Sequence, residues 1–546
     1  MSFKVILGTE EKVFEKPTKV LDIVGNDKDI VCAYVNNRVR ELTYTVDKDC
    51  KIVPLTCKDR DAKPTYESSL RFLVAMAMNN LYPNIDIRFS YNVSRSIFMQ
   101  ILTPHTTSNG QMVQELEKEM KRLVSLDLPL VRKIVSKEEA AKVLAKEGFQ
   151  DKVDVLEYRP EKTCHLYTCD NYMNYMYNRM VPSTGYIKKW KVKFYHPGII
   201  IQYPRFDVNG EIPPFEDAPT FGRTLKQAHQ WAKATCADSI VGINKLIEDA
   251  GPVDFITLCE QRHNRQLCEL GDVIQGDIEN IRLICVAGPS SSGKTTFANR
   301  LRIELLSRGI RPIRISLDDY YLPKDKVPVD EKGEPDFEDI RALDIELFNQ
   351  NMIDLISGLE VVLPKFDFKL GHRVEGRHLK IEDGQPIIIE GIHALNDMMT
   401  TSIPNHQKFK IFIAPQAQVN IDNHNPLGLT DLRLLRRIVR DYQFRNSDAI
   451  DTLKMWPSVR KGEFKWIYKT QEGANYVFNS FLPYELPVMK KYAMPLLEKI
   501  EVESEHFPVA ERLIRMLKFF KDLPDEWVPS NSLMREFIGG SCYADV

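Results

Sequence analysis

Between residue 281 and about residue 500, four short apolar runs (IRLICVA, IRPIRISL, QPIIIEG and FKIFIAP) follow one another, several of them separated by helical patterns. Strands that are apolar without sustained alternation belong to a sheet covered on both faces. The stretch 281–500 therefore predicts an α/β domain with a mostly parallel, doubly wound sheet. Residues 1–60 read differently: FKVIL, IVCAYVNNRV and CKIVPLT alternate with polar turns, the pattern of a small β-rich module. Residues 61–230 combine a helical run, SSLRFLVAMAMNNLYP, with aromatic-rich strands such as WKVKFYHPGIIIQYP, which predicts an α+β domain. Within it, MVQELEKEMKRLVSLDLPLVRKIVSKEEAAKVLAKEG reads as a charged helical stretch with a solvated face. Residues 231–280 predict a helical linker, and residues 501–546 an amphipathic helix followed by a tail. No internal repeat or low-complexity tract interrupts this multidomain order.

Composition narrows the function classes. The 546 residues suffice for several domains, each with its own core. With 74 basic against 76 acidic side chains, the net charge of -2 provides no general attraction to nucleic acid or to an anionic membrane. Charges in the first sixty residues are near balance, so RNA is a secondary expectation, confined to the N-terminal half. No apolar run reaches membrane-spanning length and MSFKVILGTEEKV has no signal-like apolar segment, so a cytoplasmic protein is expected. Ten cysteines occur without a CxxC pair, as expected of free thiols.

The candidate chemistry begins directly after IRLICVA. Gly288, Gly293, Lys294 and Thr295 fit G-x-x-x-x-G-K-[ST], with a predicted strand before and an amphipathic helix after. In such a loop backbone N–H groups cradle phosphates, the lysine reaches the β- and γ-phosphates, and the hydroxyl ligates Mg²⁺. Gly288, Ser290, Ser291, Ser292, Gly293, Lys294, Thr295 and Thr296 are thus the expected ATP-binding residues. Asp318 and Asp319 end the next strand, where a carboxylate can accept a hydroxyl proton or help hold the metal. Glu390 ends a further buried strand, where a second metal-shell carboxylate would sit. In TDLRLLRRIVRDYQFR, Leu434, Leu435, Ile438 and Val439 form one helix face, and Arg433, Arg437 and Arg440 another, suited to a transferring phosphoryl group.

GPSSSGKTT, SLDDYY, KFDFKLGH, IIIEGIHAL and RRIVRD occur in the order found in the uridine kinase and phosphoribulokinase family, which residues 281–500 resemble. The resemblance implies ATP and Mg²⁺ as cofactors and a nucleoside 5'-hydroxyl, uridine- or cytidine-like, as acceptor. Asp318 would be the catalytic base, with Asp319 where a serine or threonine is usual; Lys294, Arg437 and Arg440 would serve the transferring group. Thr295 and Glu390 would serve the metal, and Arg436, with Arg437 and Arg440, a mobile lid. Tyr320 and Arg436 are expected at the acceptor. Phe366 stands where the family has a base-holding tyrosine, and His372 lies one residue late. Arg341 stands near the ribose-binding aspartate's place, with Asp336, Glu338 and Asp339 as substitutes. These departures leave open a sugar phosphate or another small alcohol as acceptor. A homo-oligomer is expected.

The N-terminal half resembles that of threonyl-tRNA synthetases: a TGS-like module, then the second additional domain. YESSLRFLVAMAMNNLYP and HLYTCDNYMNYMYNRMVPSTGYIKKWKV carry the likeness. Where the synthetases have their editing ligands, this chain has Ser68, Phe72, Met176 and Met180, so editing hydrolysis is expected to be lost. Cys164, His165 and Cys169 lie nearby, but no partner histidine makes them a zinc site. This half is then left with binding or regulation, a nucleotide-gated RNA-binding protein being the rival to a kinase. The tail EFIGGS is similar to the ends of bacterial proteins with this layout and suggests no mechanism by itself.

Overall fold

The computed structural model describes residues 2–330, 333–367, 370–374, 376–416 and 419–544. The chain opens with a five-stranded mixed sheet in the order Glu10–Phe14, Phe3–Leu7, Cys50–Thr56, Ile30–Val35, Arg38–Arg40. Alternation decides its faces: Phe3 and Val5 are buried, while Lys4 between them is exposed. The helix Lys63–Leu81 follows, buried along most of its length because YESSLRFLVAMAM offers almost no polar stripe. It shares a core with the first sheet and with an antiparallel sheet ordered Lys191–Tyr195, Gly198–Gln202, Ser96–Ile101, Ile87–Val93.

The charged stretch is not one helix. Helices Gly110–Ser125 and Lys137–Lys146 flank a strand, Val131–Ser136, paired antiparallel with Thr163–Cys169. Pro129 interrupts the helical pattern and the β-branched Val131, Ile134 and Val135 favour the pleat, which outweighs the surrounding helix formers.

The region read as a linker is part of the C-terminal body. Of its helices, Pro219–Ala234, Ile240–Asp249 and Gly251–Gln275, the last packs through Phe255, Cys259, Leu267 and Leu270 into the core beside the parallel sheet. Its Glu260 takes Arg300 at 3.4 Å and the hydroxyls of Tyr484 and Ser532.

That sheet has the order Ile313–Ser316, Ile387–Glu390, Leu283–Ala287, Lys408–Ala414, Tyr476–Asn479, with every pairing parallel. All four apolar runs lie in it. The fifth strand, YVFN, is too short to stand out from its polar surroundings in sequence. Cores lie on both faces, and the loop after the central strand opens at the carboxyl end of the sheet, where doubly wound folds bind ligands.

Candidate phosphoryl-transfer site

The phosphate loop runs from Ala287, the end of the central strand, to the helix Lys294–Ser307. Glycine is required at both ends of it. A Cβ on Gly288 would stand 1.9 Å from the Ile413 carbonyl oxygen, and Gly293 has φ +91°. Lys294 folds back so that its Nζ donates to the carbonyls of Gly288 (3.1 Å) and Pro289 (3.3 Å). Burial pushes its pKa down while the charges of Glu390, Asp318 and Glu536 pull it up. The hydroxyls of Ser291, Ser292 and Thr296 are buried without a hydrogen-bond partner among the described residues, leaving polar atoms in the cradle for which a phosphate supplies acceptors. Thr295 is half-buried in the first turn of the helix.

Two neighbouring strand ends bring in the carboxylates. Ser316 and Glu390 are in register, and the Ser316 hydroxyl donates to Glu390 Oε1 at 2.9 Å, with Arg314 Nη1 at 3.5 Å. Asp318 starts the acidic turn just beyond. Burial, and then the Asp318 charge, raise the pKa of Glu390 above the ordinary carboxyl range, against Arg314 and Lys294. Two acidic groups this close make a hard oxygen donor set that suits Mg²⁺, and a divalent cation would relieve their repulsion. Among the described residues no cluster of three His, Cys, Asp or Glu could hold a metal alone, so phosphate oxygens and water would complete the shell.

The arginine helix, Leu429–Phe444, buries Leu434, Leu435, Ile438 and Val439 and presses its arginines onto the loop rather than into water. Arg437 Nη1 donates to Ser290 Oγ at 2.7 Å and Arg433 Nε to the Ser290 carbonyl at 3.3 Å. Arg440 donates from Nε (2.9 Å) and Nη2 (2.6 Å) to the same Asp441 Oδ1, while Arg437 Nε faces Oδ2 at 3.2 Å.

Several expected acceptor residues lie elsewhere. Arg436 is fully buried behind the loop, paired with Glu485 at 2.6 Å and donating to the Ser480 and Ser291 carbonyls; a guanidinium held on every side is a brace, not a lid or an acceptor contact. Tyr320 is fully buried, its hydroxyl taken by Asn351 at 3.0 Å, because its ring fills the core against Phe348. Arg341 is 67% exposed and turned onto Asp339, which Lys465 also holds. His372 is exposed on a hairpin, bonded to the Leu370 carbonyl. Phe366 is buried, and its N–H supports Asp319 at 3.3 Å.

Glu338 is one of the acids the sequence offered; Arg373, Leu533 and Glu536 are groups it did not. Glu338 is half-buried among the charges of Glu463, Arg437 and Lys294, and burial, then Glu463, raises its pKa to about 7. Of the three acids offered in place of the ribose-binding aspartate, it is the one facing the loop's cations, whereas Asp339 is spent on Arg341. Arg373 pins the acidic turn through the carbonyls of Tyr320 and Tyr321 and the Asp344 carboxylate. From the tail, Glu536 accepts the Thr296 N–H at 3.0 Å, and Leu533 lies over Gly293, 2.5 Å from where a Cβ would be. A separation of 240 positions between Thr296 and Glu536 hides that contact from any local pattern.

In the N-terminal half, Ser68, Phe72, Met176 and Met180 are all buried in one apolar core, Phe72 edge-on to Tyr172 at 5.2 Å. Cys164 and Cys169 fall on opposite faces of their strand, and the His165 ring is engaged by the Met176 carbonyl.

Residues 283–483 match the model of the Phosphoribulokinase / Uridine kinase family. In its N-terminal half the chain is similar to threonine–tRNA ligases: 26% identical over 200 residues to that of Thermotoga neapolitana (35% of this chain, 30% of the relative), and 29% identical over 187 residues to that of Listeria monocytogenes (33% and 29%). The chain thus spans less than a third of the length of the curated relatives it matches. Among solved structures, one described as a possible uridine kinase from Bacillus stearothermophilus is 18% identical (40% of this chain, 98% of that one, TM-score 0.26). D-glycerate 3-kinase from Cryptococcus neoformans is 15% identical (48% and 89%, TM-score 0.23). No helix among the described residues is long and apolar enough to cross a membrane. The chain joins a P-loop domain of the phosphoribulokinase and uridine kinase type to an N-terminal half similar to threonine–tRNA ligases.

Proposed function

We propose that the C-terminal half transfers the γ-phosphoryl group of ATP to the 5'-hydroxyl of a nucleoside, uridine- or cytidine-like, giving the monophosphate and ADP. The observation that carries this reading is the placement of Asp318 and Glu390 on adjacent strand ends beside Lys294. Asp318 takes the proton of the acceptor hydroxyl as its oxygen bonds to the γ-phosphorus and the bond to the β,γ-bridging oxygen breaks. Loop N–H groups and Lys294 hold the phosphates, and Arg437, anchored on Ser290, offsets the charge spread over the transferring group. Mg²⁺, held by Thr295 and Glu390, would supply further charge neutralisation. Glu338 takes the acceptor's ribose hydroxyls. The N-terminal module is read as TGS-like, and its domain as a synthetase fold without editing chemistry.

The test is coupled ADP release with Mg²⁺-ATP against the common nucleosides, ribulose 5-phosphate and pantothenate. The expected result is turnover with a pyrimidine nucleoside. Turnover only with a sugar phosphate or pantothenate would replace the acceptor, and ATP binding without any turnover would sink the kinase reading.

A further inference from the structure

A cavity of about 510 Å³ opens at the junction of the two halves, and no residue of the phosphate loop lines it. One wall is a single face of the helix Lys63–Leu81, through Lys63, Glu67 and Arg71; the opposite wall is the segment 426–431 with Arg460, Lys461 and Phe464. Eight lysines and arginines line it against three carboxylates, in a chain whose net charge is only -2.

Those carboxylates are already committed. Glu67 takes Lys63 (3.1 Å) and Arg71 (3.0 Å), Asp207 takes Arg95 (2.8 Å) and Arg205 (3.1 Å), and Asp431 takes Arg512 (2.9 Å). Positive charge is left over. Arg71 is 3% exposed and shares the single Glu67 carboxylate with Lys63, so two cations on this wall have one anion between them. Arg60, at the rim, has no ion pair among the described residues, and both burial and the neighbouring Arg512 charge oppose its protonation. An anion in the cavity offsets this surplus of positive charge. The remaining wall suits a flat ring. Phe206 faces the cavity without an aromatic partner among the described residues, and Phe464 lies between the guanidinium groups of Arg95 (5.1 Å) and Arg460 (4.7 Å). The volume is that of a small-molecule site.

We infer that this junction cavity is a binding site for a nucleoside phosphate, its phosphates on Arg60 and Arg71 and its base against Phe206, separate from the loop at Gly288–Thr296.

The site is tested on the full-length chain carrying Lys294→Ala, which removes the phosphate lysine of the other site. UMP, UTP, CTP, ATP and inorganic triphosphate are titrated by calorimetry. At least one nucleotide is expected to saturate with Kd below about 1 mM, and adding Arg60→Gln to weaken it about tenfold or more, while Arg60→Lys stays within about threefold. Arg60 is a half-buried rim residue, so an unchanged melting temperature in both variants separates lost binding from lost folding. The proposal falls if no probe saturates, if Arg60→Gln leaves the affinity unchanged, or if nucleotides that bind the wild type are lost with Lys294→Ala alone. Inorganic triphosphate binding as tightly as any nucleotide overturns the part assigned to the base.

Discussion

Lys294 is surrounded by the charges of Asp318, Glu390 and Glu536, so much of its charge is already offset in the free protein. Replacing Lys294 by Ala, or Asp318 by Asn, is expected to lower kcat/KM at least about a hundredfold, the scale of losing one charge stabiliser or one general base; steady-state kinetics giving near-wild-type values would remove either residue from the chemistry. Glu338 makes a different prediction. Its folded pKa, about 7, lies above the ordinary carboxyl value of 4.5, so the native state binds that proton more tightly than the unfolded chain does. The stability it contributes is present at low pH and drains away as pH rises from about 4.5 through about 7. Glu338→Gln should therefore melt with the wild type near pH 5 and above it at pH 8; thermal scans at both values check this, and a variant less stable at pH 8 reverses the sign. At this scale the sequence was legible where the loop's residues are contiguous. The loop glycines, Lys294 and Asp318 stand in one short order that backbone geometry dictates. Arg436 beside Arg437, or Tyr320 beside Tyr321, could not be sorted, because one residue's rotation decides between core and site, and the deciding partners, Glu485 and Asn351, lie far along the chain.

The elements around the loop are held by contacts that cross the sequence. Arg460, on the cavity wall, shares Glu463 with Arg433, which holds the Ser290 carbonyl: a chain of charged contacts runs from the junction cavity to the phosphate loop. The tail closes over the loop from another direction. Its Met534, Phe537 and Ile538 are buried, the Arg436 guanidinium lies 4.9 Å from the Phe537 ring centre, and the Glu536 carboxylate caps Thr296 in the first turn of the loop helix. An incoming phosphate wants those same N–H groups and carries the same sign of charge. Glu536→Gln, which keeps an acceptor but drops the charge, should tighten ATP binding by about threefold or more. Calorimetry with ATP on both proteins decides it, and equal affinity would mean the carboxylate stands clear of the bound phosphates. Apolar periodicity located the four strands of the buried sheet because burial on both faces leaves a simple mark. It missed Val131–Ser136, whose residues are mostly exposed, and so joined two helices across a strand.

At the scale of the whole molecule, the two halves meet through a polar plug. Asn420, Asp422, His424 and Asn425, from the segment leading into the arginine helix, are all buried. They contact the N-terminal half through Phe89, Lys152, Asn174, Tyr175 and Tyr177. No composition or periodicity points to such an insertion, because NIDNHN reads as an ordinary exposed turn until its partners are known. Its centre is the pair Lys152–Asp422, 2.8 Å apart with neither side chain exposed. Asp422 also accepts the His424 N–H and the Asn425 side-chain amide, so its charge is fully engaged. Removing one partner of a buried pair strands the other, at a cost of about 3–5 kcal/mol. Lys152→Met fits the space but leaves Asp422 without its cation, so the docking should weaken far more than either core. Scanning calorimetry is expected to give one cooperative transition for the wild type. The variant should show an earlier transition that separates from a second, as the N-terminal half lets go of the arginine helix's approach. A single transition at an unchanged temperature would mean that apolar packing, not the plug, makes the two halves one body.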